Sequence, residues 1–276
     1  MRFLTFANHG VETVGVRLGD SVVNLRAAAP HLPGTLRGLI RENRLAEAAD
    51  IARSAPEAMR LRHAELHHLP LLPQPTKMLN LIGSGDLTPK YPGLSVSVAN
   101  RLCGHFTSMI VPRRFGMLDA GVELAIIIGK GGRHIEEAAA ADHIAGYAIF
   151  IGGVVRGVPA GQTVAVARNS DRSAAFGPEL VTPDELPPLA AGLHVELKRN
   201  GVVVQSGSTD DLWKVANAVA RLSTHMTLEA GDVITTGSFP GSLAESGGYL
   251  RAGEVLSARI DGVGLLCSPI ADETNS

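Results

Sequence analysis

The chain has 276 residues, a length that suits one large domain or a large domain with a small one. Hydrophobic residues make up 45% and charged residues 19%, which is ample material for a packed core. The formal net charge is −2 and the cationic residues are scattered, so the chain lacks the basic footprint of a protein that binds nucleic acid or anionic membrane. No apolar stretch approaches the roughly 20 residues that a membrane-spanning helix needs. We therefore expect a cytoplasmic protein.

The first 25 residues alternate apolar and polar side chains, which is typical of β-strands, and the pattern turns at Gly19-Asp20. Between residues 36 and 67 the composition shifts to Ala, Arg, Glu and Leu, and apolar residues recur at helical spacing. Three prolines follow within a few residues. We predict a small N-terminal domain of β-meander plus helix over 1–70, and a second domain over 71–276.

The rest of the chain is predicted to be mainly β, because short apolar runs recur along it. Asn200-Gly201 is a strong signal for a two-residue hairpin, since both residues tolerate a positive φ. One helix is predicted near residues 210–224, with Thr209 or Asp210 as its cap. Many strands and few helices favour a rolled or barrel-like core over a doubly wound parallel sheet. The predicted fold class is α/β, mixed and β-rich.

General catalytic motifs are absent or incomplete. Residues 126–141 look like a strand, a glycine turn and a helix, but His134 stands where a dinucleotide fingerprint needs its third glycine. We interpret this segment as a turn at a strand end. No nucleophile elbow and no histidine spacing of a metal site occurs. Cys103 and Cys267 show no metal or redox spacing, and we interpret them as buried free thiols.

Five segments, taken in chain order, resemble the conserved stretches of one enzyme family. They are 118–130 (LDAGVELAIIIGK, compared with E-x-E-L-a-x-V-I-G-K), 145–156 (AGYAIFIGGVVR, compared with G-Y-t-v-x-N-D-x-x-x-R), 176–185 (FGPELVTPDE, compared with G-P-w-l-v-T-x-D-E), 200–209 (NGVVVQSGST, compared with N-G-x-x-x-Q-x-g-x-T) and 228–237 (LEAGDVITTG, compared with L-x-x-G-D-x-I-x-T-G-T-P). Each segment is weak alone, but five in order at matching separations are specific. The chain resembles the fumarylacetoacetate hydrolase family over nearly its whole length.

The resemblance implies a fumarylacetoacetate-hydrolase-type β-roll core with a small N-terminal β/α domain, commonly assembled as a homodimer. It also implies a small-molecule substrate, with no nucleic-acid and no membrane partner. Most members of the family bind Mg²⁺, Mn²⁺ or Ca²⁺ through two glutamates and an aspartate. The metal then holds a 2-oxo or β-diketo substrate and stabilises its enolate.

The family's ligand set is incomplete in this chain. Only Glu123 survives, because Gly121 stands where the first glutamate of E-x-E belongs and Gly152 where the N-D aspartate belongs. Asp119 lies two residues before Gly121 and could substitute only with some backbone shift. Residues 83–89 lack the histidine that many members use as a base on water. A hard divalent cation binds poorly when two of its three carboxylate ligands are missing. We therefore expect no cofactor, and we expect Mg²⁺ to bind only if the site is rearranged.

Four polar residues remain as candidate catalytic groups. Arg168 matches a family lysine near the site, and Asp171 matches the aspartate that follows it. Ser238 replaces the threonine of T-G-T-P and keeps a hydroxyl. An arginine can bind a carboxylate through a bidentate fork without any metal. Glu123, free of a metal and partly desolvated, could have a raised pKa and transfer protons.

These observations predict an enzyme that acts on a small enolisable oxo or carboxylate metabolite by metal-independent general acid/base chemistry. The reaction could be isomerisation, dehydration, cyclisation or carbon–carbon cleavage, since each moves a proton and holds an oxyanion. Two alternatives stay open. One is a conventional metal-dependent hydrolase or decarboxylase of the family with a rearranged site. The other is a catalytically silent binding or partner subunit, in which Glu123 and Arg168 form a salt bridge in an inert pocket.

Overall fold

The structure is a computed structural model, and it describes residues 1–82, 93–159, 164–212, 214–239, 243 and 248–274. Within these residues the chain forms one large, mostly antiparallel sheet and a smaller second sheet. Short helices cover the sheets. The predicted class, a mixed and β-rich α/β fold, is confirmed.

The strands, in chain order, have the following bounds. They are β1 (Arg2–Asn8), β2 (Val11–Leu18), β3 (Ser21–Asn24), β4 (Arg60–Arg62), β5 (His67–His68), β6 (Met78–Ile82), β7 (Gly93–Ser97), β8 (Leu102–Cys103), β9 (Met109–Val111), β10 (Leu118–Ile128), β11 (Ile144–Val155), β12 (Ala174–Val181), β13 (His194–Arg199), β14 (Val202–Ser208), β15 (Val233–Thr235), β16 (Val255–Ile260) and β17 (Gly264–Asp272). The helices are α1 (Leu25–Ala28), α2 (Leu36–Arg41), α3 (Leu45–Ser54), α4 (Val164–Ala167) and α5 (Val215–His225).

The large sheet has the order β4-β3-β2-β1-β12-β11-β10-β15-β6-β7, and the smaller sheet has the order β14-β13-β16-β17-β9. The central strands β10 and β11 pair antiparallel over most of their length. Because both faces of β10 are covered, its apolar residues divide between two cores. Val122, Leu124 and Ile126 belong to one core, and Ala125 and Ile127 to the other.

The N-terminal meander continues the large sheet, because β1 pairs with β12. Helices α2 and α3 bury apolar residues in the same core as Phe150 and Phe176 of the central strands. That shared core joins the first part of the chain to the sheet that carries the site. The division of the chain near residue 70 stays a prediction.

The prediction of helix through residue 67 is wrong beyond α3. Asn43 adopts a φ of 53°, which separates α2 from α3, and Pro56 lies two residues beyond the end of α3. His67 and His68 form β5, which pairs with Phe6 and Ala7 of β1, beyond the residues of β1 that pair with β12. Backbone pairing with the main sheet therefore overrides the helical composition here. Tertiary pairing commonly outweighs weak helix propensity in this way.

The predicted hairpin at Asn200-Gly201 is confirmed, since it joins β13 to β14 with φ values of 53° and 81°. The predicted helix near 210–224 is present as α5, but the cap differs. Ser208 caps a separate short turn at Thr209–Asp211, and α5 begins later. In the described part of the chain, no helix is long and apolar enough to cross a membrane.

Candidate active site

The site is organised around Glu123, which lies near the middle of β10 and is 2% exposed. A buried carboxylate is costly unless donors or cations surround it. The backbone N–H of Gly237 donates to Glu123 Oε2 at 3.1 Å, and the Thr235 hydroxyl also hydrogen-bonds to the carboxylate. Both residues lie on or just after β15, the strand next to β10 in the sheet.

The balance of these surroundings sets the proton affinity of Glu123. Burial raises the pKa of its carboxyl above the ordinary value, and this effect is the largest. The positive charge of Arg168, the Thr235 hydroxyl, the charge of Arg101 and the Gly237 N–H lower it by smaller amounts. Desolvation therefore wins over four stabilising partners. A carboxyl whose pKa is raised by burial is suited to accept and release protons.

The two glycines at the family's ligand positions leave no free space for carboxylates. Gly152 pairs with Gly121 across β10 and β11, and a Cβ atom at Gly152 would overlap Oε1 of Glu123. The Glu123 carboxylate thus occupies the space that a residue 152 side chain would take. At Gly121 an added Cβ would lie 2.5 Å from Ser238 Cβ and 3.3 Å from Gln205 Oε1. Larger side chains would need neighbours to move at both positions.

Asp119, the possible substitute ligand, is already bound to other groups. Its Oδ2 accepts from Arg156 Nη2 at 2.8 Å and from Arg156 Nε at 3.1 Å. Its Oδ1 accepts from the backbone N–H groups of Ala120 and Leu243, at 3.0 and 2.9 Å. Both carboxylate oxygens are therefore bonded within the protein. Asp119 thus links β10 to Leu243 and to Arg156.

These observations test the family's metal site against this chain. A hard divalent cation needs several oxygen ligands, and here one carboxylate is bonded to protein donors, a second is ion-paired and two positions are glycine. Among the described residues, no group of three His, Cys, Asp or Glu side chains is placed to hold a metal. The residues present do not fit the family's cation. The segment 83–89, which lacks the family's histidine, lies outside the described residues.

The structure does not bring all four predicted site residues to one place. Arg168 follows α4, is half-buried and acts electrostatically on Glu123. Ser238 directly follows Gly237, the residue whose N–H binds Glu123. Asp171 is exposed, accepts a hydrogen bond from Asn100 and is not among the groups that act on Glu123. The structure thus brings Arg168 and Ser238 near Glu123, whereas Asp171 lines a separate cavity of about 490 Å³.

Sequence reasoning missed a buried polar network behind Glu123. Asn80 Nδ2 donates to Ser97 Oγ at 2.8 Å, and Arg101 Nη1 donates to the same oxygen at 2.6 Å. Thr235 Oγ1 lies 3.5 Å from Asn80 Oδ1. The network therefore runs from Arg101 through Ser97, Asn80 and Thr235 to the carboxylate.

A signal for half of this network was present in the sequence. Asn80 interrupts the apolar run of β6, and Thr235 ends the apolar run of β15. A polar residue inside a run that is otherwise apolar is buried with the strand, so it needs a partner. Arg101 had no such signal, because it ends a short turn at Ala99–Arg101 whose sequence is unremarkable.

The fold and the buried, strand-borne carboxylate define a class of α/β enzymes, and known structures share this fold. The chain is similar to maleylpyruvate hydrolase from Sphingobium sp. SYK-6, solved in complex with manganese(II) ion and pyruvate. The TM-score is 0.83 at 26% identity, over 99% of this chain and 100% of that one. It is also similar to fumarylacetoacetate hydrolase from Exiguobacterium antarcticum, with a TM-score of 0.86, 26% identity and the same coverage.

The chain belongs to the fumarylacetoacetate hydrolase family, because residues 83–271 match the model of its C-terminal domain. A curated relative is the mitochondrial oxaloacetate tautomerase of Homo sapiens, which is 27% identical over 267 residues, covering 91% of this chain and 84% of the relative. The family membership inferred from the five segments is confirmed. The chain is thus an enzyme of this family, whose members with similar chains include hydrolases and a tautomerase.

Proposed function

We propose that this enzyme moves a proton at the carbon next to the carbonyl group of a small 2-oxo carboxylate, without a divalent metal. The observation that carries the proposal is the environment of Glu123. Its carboxylate is buried, is held by the Gly237 N–H and fills the space above Gly152. A base fixed in a dry environment is suited to remove a weakly acidic carbon-bound proton.

Each chemical task has a candidate residue. The guanidinium of Arg168 binds the substrate carboxylate through its planar fork. Ionised Glu123 takes the proton from the carbon, the electron pair moves to the carbonyl oxygen, and an enolate forms. Ser238 donates its hydroxyl proton in a hydrogen bond to that oxygen, which stabilises the developing charge. Protonated Glu123 then returns the proton, to the oxygen or to a carbon, so that atoms and charge balance.

Two relatives support the substrate class. The human relative is named as an oxaloacetate tautomerase, and the Sphingobium enzyme was solved with pyruvate bound. Oxaloacetate and pyruvate are both 2-oxo acids that can form an enol. Isomerisation, dehydration, cyclisation and carbon–carbon cleavage of such acids all pass through the same enolate, so the proposal is a proton transfer that is common to them.

The metal-independent part of the proposal rests on the ligand set. Gly121 and Gly152 supply no carboxylates, and Asp119 is bonded to Arg156. Arg168 and Ser238 could provide the charge and the hydrogen bond that hold an enolate in place of a cation. The manganese complex of the Sphingobium enzyme favours a second candidate, a metal-dependent hydrolase or decarboxylase with a rearranged site.

Hydrogen–deuterium exchange tests the proposal without knowledge of the final product. The purified protein, treated with chelator, is incubated in D₂O with pyruvate, oxaloacetate or a longer 2-oxo acid, and loss of the C3 proton signal is followed by NMR. We expect exchange above the uncatalysed rate for at least one acid, unchanged by chelator and abolished in Glu123→Gln. Exchange that requires added Mg²⁺ or Mn²⁺ would support the second candidate. Binding without exchange would indicate a silent binding protein.

A further inference from the structure

Arg101 is the largest fully buried side chain in the described part of the molecule, with 0% exposure. It ends the turn Ala99–Arg101 and precedes β8. Burial lowers the pKa of its guanidinium to about 10, so it still carries a full positive charge at neutral pH. A permanent charge inside a protein costs several kcal/mol unless other groups compensate it, so its position needs an explanation.

The hydrogen bonds of Arg101 are to neutral groups. Nη1 donates to Ser97 Oγ at 2.6 Å and Nη2 donates to the carbonyl oxygen of Gly153 at 2.8 Å. The guanidinium lies over the ring of Phe150, 5.6 Å from its centre. Within the described residues Arg101 forms no salt bridge, and its Nε has no hydrogen-bond partner. Neutral contacts alone do not balance its charge.

The compensating charge is that of Glu123. Glu123 is the acid whose field stabilises the Arg101 cation, and Arg101 in turn favours the ionised form of Glu123. The two are linked by geometry as well. Gly153, whose carbonyl binds Arg101, follows Gly152, above which the Glu123 carboxylate lies. Phe150, below the guanidinium, pairs directly with Glu123 across the strands.

The polar network completes this connection. Ser97 Oγ receives hydrogen bonds from both Arg101 and Asn80, and the Asn80 oxygen faces the Thr235 hydroxyl. That hydroxyl has one proton and two acceptors, Asn80 Oδ1 and the Glu123 carboxylate. When Glu123 is ionised, the charged acceptor binds the proton more strongly. Arg101 thus fixes the donors that orient Glu123.

We propose that Arg101 is a positioning residue, a built-in cation that balances the charge of Glu123 and orders the Ser97–Asn80–Thr235 hydrogen-bond network behind it. Its guanidinium is bonded to Ser97 and Gly153, so we assign the contact with substrate to half-buried Arg168 and not to Arg101. The connection between the two residues stands on the contacts through Gly153, Gly152 and Phe150 and on the Ser97–Asn80–Thr235 network. Its consequence for turnover rests on the proposed proton transfer at Glu123.

A double-mutant cycle at neutral pH measures the coupling through the melting temperature (Tm), without any assay of activity. We expect Arg101→Met to lower Tm by roughly 5 °C or more, since it removes one of the two cations whose charges act on the buried carboxylate. Adding Glu123→Gln should then raise Tm by clearly more in the Arg101→Met background than in wild type. Additive shifts, within about 2 °C, would overturn the proposal.

Ser97→Ala is the matched control, because it removes a hydrogen bond of Arg101 but keeps the charge. The change in its Tm loss on adding Glu123→Gln should be clearly smaller than the change seen for Arg101→Met, because only Arg101→Met removes the cation. If Arg101→Met alone does not fold, the double variant Arg101→Met/Glu123→Gln decides the matter. Recovery of folded protein in the double variant supports the proposal, and a double variant that is equally unfolded contradicts it.

The exchange assay then separates a positioning role from a merely structural one. Arg101→Lys keeps the charge, so it should retain more exchange activity than Arg101→Gln at equal amounts of folded protein. In both variants the loss should appear in kcat, with KM for the 2-oxo acid little changed. Equal losses in the two variants would refute the positioning role. If wild type shows no exchange, the proposed function fails, but the Tm cycle still decides the coupling.

Discussion

Two acidic residues on β10, Asp119 and Glu123, are four positions apart and equally buried, yet their surroundings differ completely. Asp119 receives two hydrogen bonds from Arg156 and two from backbone N–H groups. Among the described residues, Glu123 receives one backbone hydrogen bond, at 3.1 Å from Gly237, and a contact from the Thr235 hydroxyl. Arg168 and Arg101 act on it through their charge, without a direct salt bridge.

The comparison shows how one strand can carry a structural carboxylate and a reactive one. A carboxylate whose acceptor sites are filled by a cation and by amides is held in place and has little acceptor capacity left. A carboxylate that is desolvated with fewer donors keeps a higher proton affinity and some acceptor capacity for a substrate proton. Burial alone therefore does not identify a catalytic acid or base; the partners do.

Removal of the Glu123 carboxylate is expected to have the largest effect. Glu123→Gln keeps the shape but cannot accept a proton, so the exchange rate constant should fall by roughly 10²- to 10⁴-fold. Asp119→Asn is the control on the same strand and should leave the rate constant nearly unchanged. Near-normal exchange by folded Glu123→Gln would show that Glu123 is a structural relic of the family's metal site.

Arg168→Ala tests the partner that is placed to bind substrate. The loss of a charge-assisted hydrogen bond to a carboxylate costs about 1.5–3 kcal/mol, so KM should rise by roughly 10- to 100-fold. The effect on kcat should be smaller if Arg168 only binds. Asp171→Asn is the control, since Asp171 bonds to Asn100 and does not act on Glu123. An unchanged KM in Arg168→Ala would contradict the carboxylate-binding role.

Substitution of Asp119 should lower the stability of the protein and leave its exchange rate nearly unchanged. Asp119→Asn loses the charge that holds Arg156, which should cost about 1–3 kcal/mol and lower Tm by roughly 2–10 °C. Arg156→Gln should cause a similar loss, and the double variant should be little worse than either single one. Thermal melts of the three variants check this. A large loss of exchange activity with unchanged Tm would mean that Asp119 belongs to the reaction.

The smallest expected effect is the change of the melting temperature with pH. Because burial raises the folded-state pKa of Glu123, the stability from its protonated form is complete below the ordinary value of 4.5 and is lost as pH rises through the raised value. Glu123→Gln stays neutral throughout and leaves Arg101 without its counter-charge, so the Tm of this variant minus that of wild type should rise from pH 4 to pH 8. A constant gap would show that the pKa of Glu123 is not raised.

Much of the fold could be predicted from residue patterns. Alternation indicated the meander, Asn200-Gly201 marked the hairpin, and five segments in order identified the family. Where local pattern and long-range pairing disagreed, the pattern failed. His67 and His68 follow a helical composition but pair with Phe6 and Ala7 of β1, because backbone groups that β12 leaves unpaired bind another strand regardless of side-chain periodicity.

The sequence by itself determined the family, the β-rich fold class and the survival of Glu123 beside two glycines where carboxylates were expected. Only the tertiary structure decided which group fills the space beside Gly152 and which cations lie near the two remaining carboxylates. The Glu123 carboxylate lies above Gly152, Arg156 binds Asp119, and the Arg101 cation is buried behind Phe150. These contacts join residues distant along the chain. Their energies depend on separation and burial, which no local pattern encodes.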